Sequence, residues 1–130
     1  MDQPILFVSH WRVQPGALDQ LRQLSREVAA RFRAENPRTL SWLAYLDESG
    51  TSISFVHMFA DAEAMDLHVQ NADAGRKASA GLIEPQGWEI YGAPSESVLD
   101  QMRRTAEAAG VSLRLEPELV AGGFLRHPAD

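Results

Sequence analysis

Hydrophobic positions change period several times along the 130-residue chain, and each change marks an element. From Ile5 to Val13 two sets interleave, Ile5, Phe7, Ser9, Trp11 and Val13 against Leu6, Val8, His10 and Arg12. Both sets begin apolar and turn mixed, as in a strand covered on both faces at its start. Gln14, Pro15 and Gly16 break the alternation, and Leu18, Leu21, Leu24, Val28 and Phe32 then recur at the three- and four-residue spacing of an amphipathic helix. Asn36-Pro37 ends that helix, because a residue before proline is pushed out of the helical region. Thr39 to Asp47 and Thr51 to Phe59 are rich in β-branched and aromatic residues and are joined by Glu48, Ser49 and Gly50, a hairpin signal. Asp61 is a candidate N-cap, since its carboxylate can accept from a free first-turn amide, and Ala62, Met65, His68, Val69 and Ala72 share one face of the helix it opens. Residues 71–86 are irregular apart from a helical turn around Arg76 to Leu82. GWEIYG, Gly87 to Gly92, is a short strand with Trp88 and Ile90 on one face and Glu89 and Tyr91 on the other.

Beyond Pro94 the helix-then-strand theme returns. Ser95 or Ser97 caps a helix whose apolar side is Val98, Leu99, Met102, Ala106 and Ala109, and Gly110 supplies a left-handed stop. Val111, Leu113 and Leu115 alternate with Ser112 and Arg114 until Pro117. The last stretch, LVAGGFLRH, is an arm for this core or for a neighbouring subunit. With no repeat or composition shift, the chain is expected to be one domain, a core over residues 4–92 with a helix-strand extension over 93–130. The core order, strand, helix, strand, strand, helix, strand, predicts an α+β fold of the ferredoxin-like βαββαβ kind, with an antiparallel sheet and both helices on one face. Apolar residues on the other face need a cover. At this size a second copy is the common one, so a two-fold homodimer is expected.

Twelve Lys and Arg stand against eighteen Asp and Glu, net charge -6, with no basic stripe, which argues against nucleic acid and anionic membrane as partners. The absence of cysteine excludes disulfides and thiolate metal sites. The start, MDQPILFVSHWRV, has no basic n-region and no apolar run of spanning length, so a cytoplasmic location is expected.

His68 is the first candidate for chemistry: an imidazole titrating near neutrality can take a phenolic proton and create an anion able to reduce oxygen. Its bland alternative is a helix-edge ring bonded to a backbone carbonyl or water. His57 shares its side of the hairpin with Ile53, Phe55 and Phe59, and His10 shares its side of the first strand with Leu6 and Val8, so each can line a cavity or fill a core or interface. Trp42, Trp88, Tyr45 and Tyr91 can wall an aromatic pocket, and Asn71 and Arg76 can bond a ligand at its mouth. No two histidines have the spacing of adjacent metal ligands, and no serine elbow or phosphate-binding glycine loop is present.

WRVQPGALDQLRQL, WLAYLDESGTSISFVHMFADAEAMDLHVQN and GWEIYG together resemble the antibiotic biosynthesis monooxygenase-like proteins of the dimeric α+β barrel superfamily. The resemblance spans residues 4–92 and is most characteristic in the PG before the first helix and in the pattern of aromatic, acid, EAM and histidine from Phe59 to His68. It implies a homodimer, with cofactor-independent oxygenation of quinols or polyketide aromatics in some members and heme degradation in others. In an ungapped alignment the heme branch would place its proximal histidine near Ala78, its pocket asparagine at Ser9 and its pocket tryptophan at His68, and this chain has none of those side chains. The resulting expectation is a cofactor-independent monooxygenase acting on a hydroxylated aromatic or quinol, without flavin, heme or metal. His68 is the candidate catalytic base, and His10, Trp42, His57, Asn71, Trp88 and Tyr91 are candidate substrate contacts. The alternative is a non-catalytic small-molecule-binding or dimerisation module of the same fold.

Overall fold

β1 (Ile5–Val13) runs through the middle of the sheet, and its alternation decides which side chains face the helices. The structure, a computed structural model, describes residues 3–124 and 126. α1 (Leu18–Glu35) follows, then β2 (Thr39–Leu46), β3 (Ser52–Phe59), α2 (Ala62–Gln70), α3 (Asp73–Ser79), β4 (Ile83–Tyr91), α4 (Glu96–Ala109) and β5 (Ser112–Glu116). The strand order is β2-β3-β1-β4-β5. β2-β3, β3-β1 and β1-β4 are antiparallel, which is the four-stranded ferredoxin-like core. β5 adds to β4 of the same chain in parallel, a pairing that needs a crossover, and α4 provides it.

Local chemistry accounts for most element ends. The Asp61 carboxylate accepts from Ala64 N at 2.9 Å and opens α2. Of the two candidate serines for α4, Ser95 is the cap: its hydroxyl accepts from Val98 N at 3.2 Å and donates to Asp66 at 2.6 Å. Gly110 stops α4 with φ of 69°. Two elements depart from the sequence-based expectation. β4 starts at Ile83 rather than Gly87, because a bulge leaves Gln86 unpaired, with Pro85 opposite Trp11 and Gly87 opposite His10. Proline has no amide for a regular ladder, so the segment reads as a loop until the bulge is seen. α3 is a helix of its own, packed on α1 where a side chain at Gly75 would lie 3.3 Å from Arg31 Nη2.

Two apolar clusters hold the helix-covered face. Ile5, Phe59, Ala64, Met65, Ile90 and Val98 fill one end, and Val13, Ala17, Leu21 and Ile53 the other. The open face carries the alternate residues. Leu43 pairs with Val56 and Val56 with Val8, and Leu6 lies between Met58 and Tyr91. Leu43 and Tyr45 are 47% and 58% exposed there. After Glu116 the arm is exposed and irregular through Phe124, and Leu125 and His127 of its LVAGGFLRH stretch lie outside the described residues. Among the described residues no helix is long and apolar enough to cross a membrane.

Candidate functional site

Between the two clusters the sheet positions are not filled to the helices, and a cavity of about 200 Å³ remains. Its floor comes from one phase of the central strands: Phe7, Ser9 and Trp11 of β1, Phe55, His57 and Phe59 of β3, with Trp42 and Trp88 from β2 and β4. Its roof comes from Val28 and Phe32 of α1, His68 of α2, Gly75 and Arg76 of α3, and Gln101, Met102 and Thr105 of α4.

His57 is buried opposite Phe7 and Trp42, the place its strand phase dictates. Its Nδ1 lies 3.2 Å from the Phe7 carbonyl, so Nδ1–H donates there and the neutral ring keeps its lone pair on Nε2. Burial, and then the neighbouring His68, push its pKa down to about 3. His68 is 5% exposed, turned inward by the same helical face that buries Ala64 and Met65. Its Nδ1 is 3.2 Å from Thr39 Oγ1, and burial followed by the charge of Arg76 lowers its pKa to about 4. The two imidazoles meet at 5.1 Å and 79°, edge to face, and Phe32 and Phe59 pack against His68 at 4.3 and 4.9 Å. Both rings are therefore neutral near pH 7 within an aromatic wall. Such a site can hold a planar apolar body between rings and present an imidazole nitrogen to a polar hydrogen of that body.

Of the residues singled out in the sequence, Trp42, His57, His68 and Trp88 come together here. His10, Tyr91 and Asn71 do not. His10 and Tyr91 belong to the opposite strand phase and face away from the cavity: Tyr91 pairs with Leu6, while His10 bonds Ser54 Oγ at 2.7 Å and Glu89 Oε1 at 3.0 Å on the open face. Asn71 stands exposed at the end of α2, its amide donating to Asn36 Oδ1 at 3.1 Å. Arg76 does line the cavity. Phe7, Ser9 and Trp11 line the cavity from the inward phase of β1, a signal present in the alternation of Ile5 to Val13. Gln101, Met102 and Thr105 could not have been found this way, because the sequence places α4 outside the minimal domain. Among the described residues no group of three or more His, Asp or Glu is placed to hold a metal ion.

No protein-family model and no curated protein matches the chain by sequence. Solved structures do match by shape. MupZ from Pseudomonas fluorescens superposes with a TM-score of 0.71 at 14% identity, covering 96% of each chain, so the match includes the C-terminal extension. A "putative antibiotic biosynthesis monooxygenase" from Caulobacter crescentus matches with a TM-score of 0.63 at 18% identity, over 72% of this chain and 92% of its own. SnoaB, a cofactor-independent oxygenase from Streptomyces nogalater, matches with a TM-score of 0.60 at 17% identity, over 73% of this chain and 96% of its own. The sheet order, the helix-covered cavity and these superpositions agree on one conclusion: the chain has the fold of the antibiotic biosynthesis monooxygenase-like proteins.

Proposed function

We propose that the cavity is the active site of a monooxygenase that acts on a hydroxylated aromatic or quinol without flavin, heme or metal. The observation that carries this reading is the pair of buried, neutral imidazoles, His57 and His68, in edge-to-face contact within the wall of an aromatic-lined cavity. His68, or His57 through its Nε2 lone pair, takes the substrate's phenolic proton. The resulting anion gives an electron to molecular oxygen, and recombination forms a carbon–oxygen bond. Loss of water leaves a quinone: one oxygen atom stays on carbon, the other leaves as water, and the substrate supplies all four electrons.

The open sheet face, with exposed Leu43 and Tyr45 beside Val56 and Val8, supports pairing with a second copy as the working form. Sedimentation of the chain over a range of concentrations tests this, and a monomer throughout removes it. For the reaction, metal-free protein should accelerate oxygen uptake with a panel of quinols and naphthols. Replacing His57 or His68 by Phe should lower that rate about 10²-fold or more. No uptake above buffer across the panel removes the reading.

One observation favours the non-catalytic binding module instead. Values of about 3 and about 4 make both histidines weak proton acceptors before a ligand enters. If that module is the function, quinols quench the fluorescence of the cavity tryptophans saturably while oxygen uptake stays at the buffer rate.

A further inference from the structure

Away from the cavity, the open sheet face holds a serine, a histidine and a carboxylate in one hydrogen-bonded line. Ser54 Oγ lies 2.7 Å from His10 Nδ1, and His10 Nε2 lies 3.0 Å from Glu89 Oε1. The strand register builds this line. His10 stands on the central β1, with Ser54 directly opposite on β3 and Gly87 directly opposite on β4. Because Gly87 has no side chain, the imidazole can lean along β4 to Glu89, the next residue of the same phase. A carboxylate only accepts, so Nε2 carries its proton toward Glu89 and the lone pair on Nδ1 faces the serine, whose O–H donates to it. The His10 and Glu89 side chains are 40% and 27% exposed and Ser54 is half-buried, so a solute can reach the line. Ser54 lies inside β3 rather than on an elbow, and no sequence motif announces it.

We propose that Ser54, His10 and Glu89 form a second site, a nucleophilic triad that hydrolyses esters of short apolar acids. A serine hydroxyl bonded to an imidazole whose other nitrogen is fixed by a carboxylate is the arrangement that activates serine for acyl transfer, and geometry rather than fold identifies it. The ring is turned relative to the serine proteases, with Nδ1 toward the nucleophile, and either nitrogen can take a proton once the other is bonded. Ser54 Oγ attacks the ester carbonyl, His10 Nδ1 takes the hydroxyl proton, and the carbonyl electron pair moves to oxygen. Its return breaks the ester C–O bond, and the alkoxide leaves as the alcohol with the proton from His10. Water, giving a proton to the same nitrogen, then attacks the acyl-serine, releasing the carboxylic acid and restoring Ser54. Glu89 stays ionised throughout and holds the imidazolium. The β4 bulge brings the donor for the oxyanion: it sets the unpaired Gln86 beside His10, and Gln86 Oε1 accepts from Ser52 Oγ at 3.3 Å, which keeps the amide on the face Ser54 shares. On the other side of Ser54, Val56 and Val8, with Tyr45 across on β2, form the apolar bed for the acyl chain.

The test is p-nitrophenyl butyrate with the dilute full chain, since a second copy on the neighbouring apolar patch would compete with the ester. p-Nitrophenolate should be released faster than in buffer, and an alkyl fluorophosphonate should stop the release by labelling Ser54, read by mass spectrometry of its peptide. Ser54→Ala and His10→Phe, checked for unchanged melting, should each lower kcat about 10²-fold or more, and Ser54→Ala should take no label. Glu89 is a positioning residue, acting only through the His10 ring, so Glu89→Gln should lower kcat at least about tenfold and leave KM within about twofold. A surface imidazole can hydrolyse such an ester without any serine, so a rate that survives in Ser54→Ala overturns the proposal. No release above buffer, or a fluorophosphonate label on a residue other than Ser54, overturns it as well. Oxygen uptake with quinols is a separate measurement, and either activity can fail while the other stands.

Discussion

The two faces of the sheet treat histidine in opposite ways. On the helix side, His57 is enclosed, bonds a backbone carbonyl through Nδ1 and stays neutral far below its ordinary range. On the open side, His10 shares its two ring nitrogens between Ser54 and Glu89, with its side chain 40% exposed. One face has spent its polar groups on a cavity, and the other holds a mixed surface, apolar around Leu6, Val8, Val56 and Leu43 and charged toward Arg12, Glu84 and Glu89. The contrast teaches that the type of residue says little about chemistry in this sheet until its phase is known.

The strongest way to sharpen the contrast is pH. The folded values of His57 and His68 lie near 3 and 4, against 6.5 for the ordinary side chain. Between those limits the unfolded chain binds protons that the folded chain does not, so stability rises with pH. It is complete above about 6.5 and is lost progressively as pH falls toward 4 and then 3. Each group contributes about 1.4 kcal/mol for every pH unit between its folded and its ordinary value. Urea midpoints measured from pH 7.5 down to 4 should show the decline, and the double variant His57→Phe, His68→Phe should flatten it. An equally steep decline in that variant would place the acid sensitivity elsewhere.

Truncation comes next. Phe59 is fully buried under α2, and Phe59→Ala should cost about 3–5 kcal/mol. Leu43→Ala on the open face should cost less than about 1 kcal/mol at low protein concentration and more as concentration rises, if a second copy covers that face. Chemical denaturation at two concentrations separates these outcomes. Gly92, where β4 leaves the sheet, has φ of 105°, and a side chain there would begin 2.9 Å from the Pro4 carbonyl oxygen. Gly92→Ala should therefore destabilise by about 1–3 kcal/mol, read as a fall in melting temperature. The smallest effect belongs to the open-face polar network: Glu89→Gln should change stability by less than about 1 kcal/mol, since its partner His10 is well exposed. A larger loss would show that the face is buried in the working form.

Much of the core was readable from residue order because its signals are local. The alternation of Ile5 to Val13 specified a strand of just those bounds, the stripe from Leu18 to Phe32 specified α1, and Asp61 announced α2. The early part of β4 was hidden, since Pro85 belongs in a strand only beside a bulge, and a bulge exists only with a partner strand. α3 was legible only in part, as the helical turn expected around Arg76 to Leu82 where the helix runs Asp73–Ser79: Gly75 weakens a seven-residue helix, and packing on α1 compensates. For the candidate site, His57, His68, Trp42 and Trp88 could be named, yet His10 and Tyr91 could not be told from them without knowing which phase the helices cover.

By itself, the sequence determined the periods, caps and breaks, and with them the βαββαβ order and the face on which each residue would lie, because these depend on neighbours within a turn or a hairpin. Only the tertiary structure decided which face became the interior, that α4 would close the cavity with Gln101, Met102 and Thr105, and that His57 and His68 would meet at 5.1 Å. The physical reason is distance along the chain. A cavity is the space left when strands, α1, α3 and α4 reach their packing limits together, and no local pattern records where that space falls.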